Sequence, residues 1–212
     1  LDMTGTRSEN KNTSYSTIDA AYNFSPLQVL RFTNGDLASV ESSNPLIAVE
    51  GLGGYIRNKM NMNTITATLN YDMPWVKGLS AYIRATFDNN NSVQKTFNTP
   101  VTLYTYKKET GNIEEDYKTT YPEAKITLEE IDRFVDNKLL EFGVNYNRTF
   151  VGKHDVSGML VVNYQDYKNR YLKGKNKEMA GIYPEIIGTS LSSDLAGTEI
   201  YTQRASLIGR AT

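Results

Sequence analysis

The residues of this chain best suited to bind a ligand are tyrosines in its polar segments. Tyrosine is abundant, at 15 of 212 residues, and it combines a flat apolar ring with a hydrogen-bonding hydroxyl, which suits sugar rings and peptides. We expect ligand or partner contact from seven of them: Tyr104, Tyr106, Tyr117, Tyr121, Tyr167, Tyr171 and Tyr183. The alternative is that these rings pack the loops against one another.

Residues for catalysis or metal binding do not form a recognisable set. The single histidine, His154, stands in a short turn without partners for acid–base chemistry, and the chain has no cysteine. The acidic runs at 114–116 and 129–130 lack the spacing of a calcium loop, so solvated charge is the simpler interpretation. The formal charge of −1 is scattered along the chain. We expect no enzyme activity, no cofactor, no metal and no nucleic-acid partner.

The segments that would position the tyrosines alternate between apolar and polar residues. Successive side chains of a strand point to opposite faces, so strict alternation predicts strands with one apolar and one polar face. The clearest pair covers about 53–73 and 79–97, and further strands are predicted at 138–150, 155–170, 1–9 and from about 199. In the second strand the apolar face carries Leu79, Ala81, Ile83, Ala85 and Phe87.

Tight turns and long loops alternate between these strands. The turns are at 74–78 and 151–154, and the polar loops cover about 10–50, 98–137 and 170–198. In the second loop, the run Thr-Leu-Glu-Glu at 127–130 matches a capping box, and apolar residues follow it at helical spacing. A short helix is therefore predicted there.

Strand length favours a membrane over a soluble sandwich. Sandwich strands usually run about 5–6 residues, whereas barrel strands tilted across a bilayer need at least about 9–11. No apolar run approaches the roughly 20 residues of a membrane helix, but a barrel strand needs only every second position apolar. The sequence predicts an all-β fold: an antiparallel up-and-down transmembrane β-barrel segment of about six strands, with tight periplasmic turns and long extracellular loops.

The charged residues orient this predicted wall. Because arginine on the lipid face at the bilayer midplane costs roughly 2–4 kcal/mol, the face of Tyr82, Arg84 and Asp88 is expected to line the lumen. Arg148 shares the apolar face, but it lies near a turn, where a long side chain can snorkel to water. An aromatic girdle at the membrane interface is predicted from the residues nearest the turns: Tyr71, Trp75, Tyr146 and Phe150.

Several stretches resemble the SusC/RagA family of TonB-dependent outer-membrane transporters of Bacteroidota. They are Asn44-Pro45, Leu-Asn-Tyr-Asp-Met-Pro-Trp-Val-Lys-Gly-Leu-Ser at 69–80, Pro-Val-Thr-Leu-Tyr-Thr-Tyr at 100–106, the hairpin at 144–160 and Ser-Leu-Ile-Gly-Arg at 206–210. The turns Pro-Trp-Val-Lys-Gly-Leu and Gly-Lys-His are the most specific in combination. The resemblance covers most of the chain and is weakest over residues 1–40.

The resemblance implies a barrel of about 22 strands with a plugged lumen, of which residues 1–212 are a mid-barrel segment without plug or TonB box. It further implies a SusD-like surface lipoprotein, the TonB complex acting through the missing N-terminal part, a glycan or oligopeptide substrate, and outer-membrane lipid as partners.

Two other functions stay open from the sequence alone. One is an extracellular β-rich binding or adhesion module without transport activity. The other is a glycan-degrading enzyme, which the absence of a paired-carboxylate motif disfavours. A second sheet packed on the apolar face at 79–87 would contradict the barrel.

Overall fold

The computed structural model describes residues 1–14, 16–40, 44–110, 116–120, 125–152, 154–179, 181–185 and 193–212. The fold is all-β and antiparallel, as predicted. Its elements in chain order are β1 (Asp2–Thr13), α1 (Thr17–Tyr22), α2 (Leu46–Val49), β2 (Gly54–Asp72), β3 (Leu79–Asn98), β4 (Leu103–Tyr106), β5 (Tyr117–Thr120), β6 (Thr127–Phe150), β7 (His154–Asn176) and β8 (Ser193–Ala211).

The main sheet is an up-and-down meander of six strands in the order β1-β2-β3-β6-β7-β8, and every neighbouring pair is antiparallel. The small β4–β5 sheet lies within the connection between β3 and β6. The main sheet is not closed. Strands β1 and β8 are therefore its edges, and in the described part of the chain each is hydrogen-bonded along one side only.

Both predicted turns join neighbouring strands, at 74–78 and between Phe150 and His154, where Lys153 lies outside the described residues. Glycine explains the first turn. Gly78 has φ +88°, and a Cβ added there would lie 2.1 Å from the carbonyl oxygen of Asn147 in β6. Only glycine allows this approach without strain. The Asn147 N–H donates a hydrogen bond of 2.8 Å to the Gly78 carbonyl, so the first turn is tied to the next hairpin. We call this side of the sheet the turn end and the opposite side the loop end.

The helix predicted after Thr127 is wrong. Residues from Thr127 onward belong to β6 and pair with β3 on one side and β7 on the other. A single capped turn satisfies few backbone groups, whereas two ladders satisfy both sides of the strand. Leu128, the first apolar residue of the supposed helix, is fully buried in the strand.

Two loop boundaries also differ from the prediction. Strand β7 continues to Asn176 and β8 begins at Ser193, so the third connection is shorter than expected. Tyr167 and Tyr171 consequently lie within β7 and not in a loop. At the loop end, charged residues occupy both faces of these strands, so the apolar–polar alternation that marks a strand disappears from the sequence there.

A buried apolar cluster lies outside the main sheet. Leu37, Ile47 and Val101 are buried together, and Leu46 and Leu103 pack against them. Backbone hydrogen bonds join the first and second loops, from Ser39 N–H to the Tyr104 carbonyl (2.7 Å) and from Tyr104 N–H to the Leu37 carbonyl (2.9 Å). We call the described residues of 16–52 and 99–120 the loop platform. Neither helix in the described chain is long and apolar enough to cross a membrane.

Candidate functional site

The strand register brings apolar side chains from five strands onto one face of the sheet. This face holds the odd-numbered residues of β1, β2, β3 and β8 and the even-numbered residues of β6 and β7. We call its apolar part, which extends from the turn end, the belt. Its members are Ile65, Ala67, Leu69, Tyr71, Leu79, Ala81, Ile83, Ala85, Phe87, Leu140, Phe142, Val144, Tyr146, Leu160, Val162, Tyr164, Ala205 and Leu207.

The belt ends abruptly toward the loop end. The next positions on the same face are Asn63 and Asn89 in β2 and β3, and Lys138, Asp166 and Gln203 in the following strands. Beyond them, ion pairs connect neighbouring strands. They join Arg57 to Glu9, Lys95 to Glu130 at 3.1 Å and Lys168 to Glu199 at 2.9 Å. On this face the continuous apolar belt thus gives way to polar and ionic residues, with single apolar side chains such as Val93, Phe134 and Leu172 among them.

The side chains of the belt are not covered. Leu69 is 68% exposed, and Ile83 and Phe142, its neighbours across the strands, are 43% and 48% exposed. Among the described strands, the only sheet besides the main one is the β4–β5 pair of the loop platform. The packed second sheet that would have contradicted the barrel is therefore absent from the described part of the chain.

The opposite face is polar along much of its length and holds the three residues predicted to line a lumen. Tyr82 donates a hydrogen bond of 2.9 Å from its hydroxyl to Glu141, and the Arg84 Nη1 lies 3.5 Å from the same carboxylate oxygen. The Tyr82 ring lies against Gly143, where an added Cβ would be 2.2 Å from it. A tyrosine that covers a strand glycine compensates for the missing side chain. This cluster gives the polar face a fixed, charge-balanced patch.

Asp88 belongs to a second polar group, which the sequence did not reveal. Asn137 Nδ2 donates to Asp88 (3.2 Å), and Gln165 Nε2 donates to the Asn137 side-chain oxygen (2.7 Å). These residues line a concavity of about 430 Å³ that also includes Tyr167 and Thr64. Amides, a carboxylate and a ring edge could hold a polar ligand by hydrogen bonds. Asn137 and Gln165 were missed because only the cross-strand register shows that they face Asp88.

The four aromatics predicted as a girdle are all at the turn end. Tyr71 and Trp75 pack with ring centroids 6.0 Å apart, and Tyr146 lies opposite Leu79. Arg148 stacks 4.7 Å above the Phe150 ring, a cation–π contact that places its charge beside the turn. The other edge of the belt also carries exposed aromatic rings, which sequence analysis did not assign to a girdle: Phe87, Tyr164 and Tyr201.

Two of the tyrosines predicted to contact a ligand, Tyr104 and Tyr117, pack within the loop platform. Tyr117 stacks on Tyr104, with centroids 5.2 Å apart and an interplanar angle of 11°, and meets Phe32 edge-on at 5.4 Å. Its hydroxyl donates a 2.6 Å hydrogen bond to Asp36 and accepts one from Asn34. Desolvation and the bond to Asp36 raise the pKa of Tyr117. This packing is the alternative that the sequence left open.

The remaining predicted tyrosines differ in position. Tyr106 and Tyr183 are exposed, at 45% and 75%, and are free to meet a ligand or partner. Tyr167 and Tyr171 lie on the polar face of β7. Tyr121 lies outside the described residues.

Buried Asn44 organises the loop platform. Its amide nitrogen donates to the carbonyls of Leu30 (2.7 Å) and Ala38 (2.9 Å), and its side-chain oxygen accepts from the Leu46 N–H (3.0 Å). One side chain therefore joins three backbone segments. A separate contact fixes the third loop, since Lys95 Nζ donates to the Pro184 carbonyl at 3.0 Å.

Charge at the loop end stabilises the sheet where the belt does not reach. Glu129 lies 3.0 Å from Lys173 and 3.4 Å from Lys175. Partial burial would raise the pKa of Glu129, but the hydrogen bonds and charges of the two lysines outweigh it and hold this pKa below its usual value. The carboxylate therefore stays ionised to a lower pH than an isolated glutamate would.

No group of three His, Cys, Asp or Glu side chains that could hold a metal occurs in the described part of the chain. No protein-family model matches the sequence, and no curated protein matches it significantly.

Proposed function

We propose that this chain is a segment of the wall of a β-barrel transporter in a bacterial outer membrane, of the SusC/RagA type that it resembles. In this proposal the belt contacts lipid, the polar face lines the lumen, and the loops lie outside the cell. The full transporter imports glycans or oligopeptides with a SusD-like surface lipoprotein, and the TonB complex supplies the energy. The chain itself catalyses no reaction.

The observation that carries the proposal is the sharp end of the belt. An outer-membrane strand has an outward apolar band about 25 Å tall and a polar inner face. From Leu79 to Phe87 the belt covers nine residues of β3, which meets the roughly 9–11 residues that a tilted strand needs to cross a bilayer. The ion pairs then begin on the same face. A bilayer boundary explains this change, because ionic groups are stable only outside the hydrocarbon.

The open edges of the sheet are consistent with a segment. Unpaired backbone groups cannot face hydrocarbon, so β1 and β8 must pair with further strands in a membrane. The alternative of a soluble extracellular module would leave the belt, with its many large apolar side chains, in contact with water. Such contiguous apolar surface is rare on soluble monomers.

Surface labelling of intact cells tests the proposal. In the full-length protein, a cysteine at Tyr183 (Tyr183→Cys) in the third loop is expected to react with a membrane-impermeant maleimide, whereas Lys77→Cys in the first turn is expected to react only after the cells are permeabilised. Residues 1–212 contain no cysteine, and any cysteine elsewhere in the full-length protein is replaced by serine beforehand. Labelling of both positions in intact cells would favour the extracellular module and contradict the transporter wall.

A further inference from the structure

An apolar groove crosses the belt near its outer edge. It has a volume of about 360 Å³, within the roughly 300–1,000 Å³ of small-molecule pockets. Ala67 and Ala85 lie directly opposite each other in β2 and β3, and their small side chains leave the space. The lining also includes the larger apolar residues Ile65, Phe87, Leu140 and Tyr164.

Lys138 lies at the charged edge of this groove. Lys138 also lines the groove. It lies opposite Phe87 in the adjacent strand, on the face of the belt and at the level where the apolar surface ends. Its side chain is exposed. Three ammonium hydrogens at this level could each bond to an oxygen anion.

The charge of Lys138 is not satisfied by the sheet. Asp166 faces Lys138 across the strands, but its buried Oδ1 has no hydrogen-bond partner, and the two side chains form no ion pair. Within the described residues Lys138 makes no ion pair, whereas Lys168, the nearest lysine on this face, pairs with Glu199.

We propose that the groove and Lys138 bind one anionic lipid of the outer leaflet, with an acyl chain along the two alanines and its phosphate on the ammonium. This inference rests on the proposed function, since the groove meets lipid only if the belt does. Van der Waals packing in the groove holds the acyl chain of the lipid, because the surrounding hydrocarbon is equally apolar and supplies no hydrophobic driving force. The phosphate supplies the selectivity, since a lysine at a membrane surface favours anionic headgroups.

Native mass spectrometry of the full-length protein tests this proposal. The protein is taken from micelles that contain equal amounts of phosphatidylglycerol and phosphatidylcholine. We expect wild-type protein to retain phosphatidylglycerol preferentially and Lys138→Ala to lower the retained ratio about fivefold. Lys168→Ala, which removes a paired lysine from the same face, is expected to leave the ratio unchanged. Ala85→Phe fills the groove and is expected to reduce retention of both lipids.

Two results would overturn the lipid site. One is an unchanged ratio in Lys138→Ala, and the other is an equal loss in Lys138→Ala and Lys168→Ala, which would indicate general surface charge. Failure of the proposed function is recognised separately. A fluorophore on Ile83→Cys is quenched by brominated phosphatidylcholine if the belt meets lipid, whatever the lysine variants do. Without that quenching, the transporter wall itself is contradicted.

Discussion

Arginine in place of Val162 is expected to destabilise the full-length protein in lipid vesicles by about 2–4 kcal/mol, the cost of a cation on the lipid face near the bilayer midplane. Val162 lies in the middle of the belt, between Phe142 and Leu207, and is 44% exposed. Its distance from both edges of the belt leaves the guanidinium no short path to water.

The adjacent residue supplies the matched control. Asn163 is on the polar face between Glu141 and Ser206, so Asn163→Arg places the same charge at the same height but beside a carboxylate. We expect its effect on the free energy of unfolding, measured by urea titration, to stay below about 1 kcal/mol. In a soluble module, Val162→Arg would be an ordinary surface substitution, within about ±0.5 kcal/mol. Equal effects at the two positions would therefore contradict the membrane proposal.

The loop platform is expected to open when Asn44 becomes aspartate. The carboxylate has no N–H to donate, so the buried Ala38 carbonyl loses the Asn44 bond, and the Leu30 carbonyl keeps only the bond from the Ala38 N–H. An unsatisfied buried group costs about 1–3 kcal/mol, and the new negative charge faces both oxygens. The combined destabilisation is expected to be roughly 2–5 kcal/mol, local to the platform.

Hydrogen exchange can measure this local opening. Amides of the platform, such as those of Ala38 and Tyr104, are expected to exchange much faster in Asn44→Asp, while amides of β3 and β6 keep their protection. Asn23→Asp is the control, because Asn23 makes an exposed side-chain hydrogen bond to the Asp19 carbonyl. If both variants exchange alike, Asn44 does not organise the platform.

The sequence was sufficient to predict the sheet wherever one face is apolar. In β2 and β3 the face of each side chain follows from its position along its own strand. The two-faced pattern and both tight turns could therefore be recognised without tertiary information. It was insufficient at the loop end. There Glu129 and Lys173 stabilise strands through charge pairing across the sheet, and charged residues carry no apolar period to detect.

The candidate site was predictable only in part, for the same physical reason. The faces of Tyr82, Arg84 and Asp88 follow from strand period alone. Their partners depend on register, which turn lengths and long connections set jointly. The stacking of Tyr104 on Tyr117 brings together residues of one loop, but their contact with the Asp36 region depends on how two loops pack, and no local pattern encodes that packing.

Lipid accessibility along β3 is the most direct measurement of whether the belt contacts a bilayer. A fluorophore is attached to single cysteines at successive positions from 79 to 91 of the full-length protein in vesicles that contain brominated lipid. We predict strong quenching at the odd-numbered positions from Leu79 to Phe87, weak quenching at the even-numbered positions, and weak quenching at Asn89 and Asn91. The absence of a two-residue period, or quenching that continues through Asn91, would contradict the proposed membrane wall.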